Sequence, residues 1–139
     1  MTSERVRSCL GLFAALLLAS GCGSSEIVQQ VWSPDWEHKA VVFTYRGGAT
    51  VRANTIVSVL DDVYAKPGRS SVVFSAQNGS DDSPIGPYMG PAVSLRWLDG
   101  RTLQIDYDPR ARVLRKEERM NGARIVYRVE PQVGIPPRR

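Results

Sequence analysis

Alternation of apolar and polar positions organises most of this chain beyond its first thirty residues. In "KAVVFTY" (39–45) one phase holds Lys39, Val41, Phe43 and Tyr45, the other Ala40, Val42 and Thr44. β-Branched and aromatic residues on both phases predict a strand that is apolar on two faces, and so a central one. Ser33-Pro34-Asp35 precedes it, where the fixed φ of proline suits a type I turn. "NTIVSVL" (54–60) and "SSVVFSA" (70–76) predict two more strands around the breaker Lys66-Pro67-Gly68. The glycine- and proline-rich segment 77–91 predicts a long irregular connection.

The clearest hairpin is "AVSLRWL-DG-RTLQIDY" (92–107) around Asp99-Gly100, a preferred type I′ dipeptide. Val93, Leu95 and Trp97 share a face, as do Leu103, Ile105 and Tyr107, while Arg96 and Gln104 face away. A two-residue loop would set Trp97 against Thr102. A three-residue loop, Asp99-Gly100-Arg101, sets Trp97 against Leu103 and Leu95 against Ile105. Because a one-residue slip flips every side chain, burial selects the three-residue loop, with Gly100 or Arg101 in the left-handed region. A last pair, "RVLRKEER" and "RIVYRV", flanks Asn121-Gly122 and sets Arg119 against Arg124, an unfavourable like-charge contact. A short helix over 109–121 fits the same residues. The expected fold class is all-β: a small antiparallel sandwich or meander of about six or seven strands. One domain spans 31–130, and a proline-rich tail follows over 131–139.

The first thirty residues differ in kind. After Arg5 and Arg7 comes an apolar run, Cys9 to Ala19, whose 11 residues would span roughly 16 Å as a helix. That is about half of a hydrocarbon core. The run fits the helical part of a cleaved signal peptide (1–21) with Ala19-Ser20-Gly21 as the cleavage site. "ASGC" closing that run resembles the lipobox of bacterial lipoproteins. The resemblance implies that Cys22 becomes the first residue of the finished protein and carries a diacylglycerol, with its amino group often acylated. Two or more acyl chains hold a protein at a membrane, at roughly 0.8 kcal/mol per buried methylene. Gly23 rather than aspartate resembles an outer-membrane sorting pattern, which implies an outer-membrane anchor facing the periplasm. The same residues also fit an ordinary secretory signal with an incidental cysteine. Residues 22–30 read as the lipidated cysteine and a flexible tether.

Composition then narrows the chemistry. The net charge is +4, and arginine supplies most of it; after export, nucleic acid is not an expected partner. With Cys9 lost and Cys22 lipidated, no thiol remains for disulfides or thiol catalysis. The bases Arg110, Arg112, Arg115, Lys116, Arg119, Arg124 and Arg128 read as a solvated strand face, or as a face meeting lipid phosphates. His38 is the one histidine. It serves as a catalytic base only if the fold brings it a serine or threonine, and no G-x-S-x-G elbow is present. One histidine without thiols lacks the common zinc sets. Asn78, Ser80, Asp81 and Asp82 lack the order of an EF-hand, and Gly47-Gly48 lacks a P-loop lysine. No catalytic residue, metal or cofactor is expected. Arg52 in "GATVR" and Tyr88 and Met89 in "PIGPYMGP" remain as candidate partner-binding residues. They form either a knob on a stiffened loop or a lid on the sheet.

"SPDWEHKAVVFTYRGGATVRANTIVSVL" (33–60) resembles the opening of a family of small uncharacterised bacterial envelope proteins. The shared pattern runs through Ser33-Pro34-Asp35, Lys39 to Phe43, Gly48-Ala49-Thr50, and Thr55, Val57 and Ser58. "WLDGRTLQIDYD" with "NGARIVYR" resembles its second half. Gly47 stands where that family often has cysteine, and the resemblance implies no activity. A likeness to β-propeller repeats containing "SPDG" does not hold, since there is one copy and Trp36 replaces the glycine. The expected function is therefore that of a membrane-anchored envelope lipoprotein that binds or scaffolds, with another envelope protein as partner. The alternative is a minor periplasmic hydrolase using His38 with nearby carboxylates.

Overall fold

The computed structural model describes residues 24–46, 53–79, 84–86 and 89–132. Cys22, Arg52, Tyr88, the signal peptide and residues 133–139 lie outside them. The described residues form strands β1 (Ser24–Trp32), β2 (Lys39–Arg46), β3 (Asn54–Leu60), β4 (Val72–Asn78), β5 (Val93–Trp97), β6 (Thr102–Tyr107), β7 (Ala111–Lys116), β8 (Arg119–Met120) and β9 (Ala123–Val129). They make two sheets, β1-β2-β3-β4-β7 and β5-β6-β9-β8. Ala40, Val42, Val57, Val59, Phe74 and Ala76 on the first sheet pack with Trp97, Leu103, Ile105, Tyr107 and Ile125 on the second. The all-β class is as expected. No described helix is long and apolar enough to cross a membrane.

Several details correct the expectation. Residues 24–30 are not a tether but most of β1, paired along its length with β2. A bulge between Ile27 and Gln29 shifts the phase, so Val28 and Val31 both reach the core despite an odd spacing. That phase shift hides the strand from a period-two reading. The sheets are also not wholly antiparallel, because β6 and β9 run parallel. Between them the chain crosses to the other sheet, where β7 joins β4 rather than folding onto β9. Parallel neighbours require such a crossover. Residues 111–116 and 119–120 are strand, which removes the helical alternative. Arg119 does face Arg124, across a turn with Asn121 at φ 50° and Gly122 at φ 78°, the type I′ signature.

The β5–β6 hairpin pairs Trp97 with Leu103 and Leu95 with Ile105, as the apolar pattern requires. Neither Gly100 nor Arg101 enters the left-handed region, contrary to expectation. The Asp99 carboxylate instead accepts the Arg101 N–H at 2.8 Å and turns the loop. Registers give the sandwich two distinct ends. Trp32, Lys39 and Leu60 lie at one, Ser24, Tyr45 and Asn54 at the other. At about 3.3 Å per residue, the eight residues of β2 set them roughly 25 Å apart.

Candidate functional site

The end that carries Trp32 and Lys39 is built on the turn 33–38. Trp36 N–H donates to Ser33 O at 3.0 Å, closing the predicted turn. The Asp35 carboxylate accepts the Ser33 hydroxyl at 2.6 Å and the Glu37 N–H at 3.2 Å. These two donors, the hydroxyl foremost, hold the Asp35 carboxyl below its ordinary value. The turn forces Trp36 to φ 62°. For a bulky side chain this is an outlier, because Cβ crowds the following carbonyl. Trp36 nevertheless remains 65% exposed, touching Trp32 with ring centroids 5.7 Å apart.

His38 ends the turn and is buried. Its Nδ1 lies 3.1 Å from Gly100 O and its Nε2 2.9 Å from Asn121 O. The ring thus clasps one loop and one turn of the second sheet onto the first. It packs tilted against Trp97, ring centroids 5.9 Å apart, and the Trp97 indole N–H donates to Val31 O at 3.0 Å. Asn121 Nδ2 adds a bond to Val59 O at 2.8 Å. Both ring nitrogens lie against backbone carbonyls, so the ring is engaged in holding the two sheets together.

Lys39 anchors the loop that forms another wall. Its ammonium is buried and donates to Val63 O at 2.6 Å and Ala65 O at 3.3 Å. This pins the loop after β3 beside the turn, and Asp62 accepts the Tyr64 N–H at 2.8 Å. The result is a cleft of about 530 Å³ between Trp36 and Glu37 on one side, Asp61, Asp62 and Tyr64 on another, and Arg101 with Gly122 on the third. Tyr64 is 92% exposed. Sequence reasoning singled out His38 as a candidate base, where the structure sets its ring between two loop carbonyls, and missed Trp36 and Tyr64 as surface groups. The available signal was Trp36 standing where a related turn carries glycine.

Asp35, Glu37 and His38 offer ligand atoms within 4.8 Å of one another. The His38 nitrogens are committed to carbonyls and one Asp35 oxygen to the turn, so the set is already spent on folding. Met89 is exposed at φ 79°, but the chain around it folds back: Thr55 Oγ1 donates to Pro91 O at 2.7 Å and Asn78 Nδ2 to Met89 O at 3.1 Å. Residues 89–91 thus lie against β3 and β4 at the Ser24 end, and the exposed Met89 is far from the cleft. A second groove of about 420 Å³, lined among others by Val42, Thr44, Thr55, Ile85, Pro91 and Val93, has no charged or aromatic side chain among its described lining. Comparison of the chain with family models, curated proteins and solved structures finds no match.

Proposed function

We propose that this chain is an envelope lipoprotein, anchored in the outer membrane through lipid on Cys22, and that it acts as a binding or scaffolding module. The observation that carries the reading is the opposition of its two ends. Cys22 lies two residues before β1, so an acylated cysteine reaches at most about 7 Å beyond the first paired residue. With no slack, the Ser24 end sits against the bilayer and the cleft faces away from it toward a partner, such as another envelope protein. The exposed Arg112 flanks that membrane-side end, since it pairs with Gln77 near the close of β4. Its charge suits lipid phosphates.

The test is metabolic labelling of the full chain in a bacterial host with an alkyne fatty acid. The wild type is expected to take the label and fractionate with membranes. Cys22→Ser is expected to lose both properties. A Cys22→Ser protein that is processed normally and stays in the membrane fraction overturns the lipoprotein reading.

A further inference from the structure

We infer that the cleft binds an organic cation, an ammonium or guanidinium group, between the faces of Trp36 and Tyr64 and the carboxylates of Glu37, Asp61 and Asp62. This deepens the binding half of the proposed function and is independent of the lipid. The first observation is conformational. Trp36 occupies a left-handed φ of 62° that glycine would take without strain. Burial does not compensate it, since 65% of the residue is exposed. A strained, exposed indole is costly to the fold twice over, and such strain concentrates at binding sites. Tyr64 likewise presents its ring to water.

The second observation is electrostatic. Three carboxylates line the cleft against one cation, Arg101, and none of these groups forms an ion pair among the described residues. An anion is repelled there. A neutral sugar could stack on the rings but would leave the surplus negative charge unanswered. A cation uses both features, because the negative face of an aromatic ring attracts it as the carboxylates do. The cleft volume, about 530 Å³, accommodates a lysine- or arginine-sized group with its neighbours.

The experiment uses the full chain in detergent, followed by NMR through the Trp36 indole N–H and the amides of residues 61–64. The probes are acetyl-trilysine amide, acetyl-triglutamine amide and the neutral trisaccharide of N-acetylglucosamine. Trilysine is expected to shift these signals saturably, with an affinity that falls several-fold as salt rises tenfold. Triglutamine and the saccharide are expected to leave them in place. Glu37→Gln with Asp61→Asn should weaken trilysine binding about tenfold at an unchanged thermal midpoint. Trp36→Gly should abolish binding without lowering the midpoint, a combination that a packing role cannot produce. Binding of the saccharide without trilysine overturns the cation and leaves the cleft as a binding site. No response to any probe, with Trp36→Gly lowering the midpoint, overturns both.

Discussion

Each end of the sandwich is closed by one buried polar residue that gathers groups from separate loops, but the two do so with opposite chemistry. At the cleft end the loop 99–101 and the turn 121–122 present carbonyls, and the His38 ring meets those of Gly100 and Asn121. At the Ser24 end the chain presents N–H groups. Asp108, 1% exposed, accepts those of Arg110 and Gln132 at 2.9 Å each and the Arg110 guanidinium at 2.9 and 3.1 Å. The Asp108 end is self-contained, because the carboxylate brings its own counterion two residues away. The His38 end is not, for its outer wall leaves Glu37, Asp61 and Asp62 without a counterion among the described residues, beside exposed aromatics. The contrast separates a closure that only stabilises from one that also leaves a surface to be used.

The largest expected effect tests what supports the His38 clasp. Trp97→Ala removes the ring beneath the imidazole and should cost about 3–5 kcal/mol, while Arg96→Ala on the opposite face should stay within about 0.5 kcal/mol. Chemical denaturation of both variants checks this. Equal losses would mean that the alternation in β5 does not decide burial. His38→Ala should follow at about 2 kcal/mol, because it removes the buried ring set between the Gly100 and Asn121 carbonyls and a hydrogen bond with it. If His38 were instead a catalytic group, its loss would leave stability intact.

Asp108→Asn sharpens the same comparison through pH. The Arg110 guanidinium, with the N–H groups of Gln132 and Arg110, holds the Asp108 carboxyl well below the usual carboxylate range. A depressed folded-state value contributes stability that is complete above the unfolded value, near pH 4, and is lost as pH falls through the folded one. The variant should therefore be less stable by about 1 kcal/mol at neutral pH. The gap to wild type should close as pH drops below 4. Thermal midpoints across pH 2–7 measure it, and a constant gap would show that the carboxylate's charge plays no part.

How much of this was readable beforehand follows from the range of the interactions. The cores of β2 to β6 were legible because apolar alternation is local, and in the β5–β6 hairpin the same pattern chose the register over the turn dipeptide. β1 was hidden by its bulge. The pairing of β7 was hidden because its partner β4 lies more than thirty residues away, while the nearby Asn121-Gly122 turn advertised a simpler hairpin. The two closures were illegible for a related reason. His38 and Asp108 act on backbone groups of loops, and no residue type reveals which loop carbonyl will point inward. The strain at Trp36 was half visible, as a tryptophan in the place of a glycine.

Trp36→Gly should reverse the usual sign of a large-to-small change. Relief of the left-handed strain outweighs the lost contact with Trp32, so stability should hold or rise by up to about 1 kcal/mol. A loss resembling that of Trp97→Ala would mean the aromatics at this end are core, and the contrast between the two ends would disappear.

The smallest expected effect concerns how closely the cleft end is fitted. Gly100 needs no unusual φ, so strain does not explain its lack of a side chain. A Cβ there would lie 2.2 Å from Asp35 Oδ2, the carboxylate that organises the turn beneath Trp36. In Gly100→Ala that carboxylate must swing away from the Ser33 hydroxyl and the Glu37 N–H. The expected cost is a lowering of the thermal midpoint by about 2 °C. Asp35→Ala loses the same turn contacts by itself, so adding Gly100→Ala to it should lower the midpoint no further. That non-additivity is the signature of two residues in contact. If the two losses instead add, the methyl acts on the Gly100 loop and its His38 bond directly. The clasp, rather than the turn, would then be what excludes a side chain at position 100.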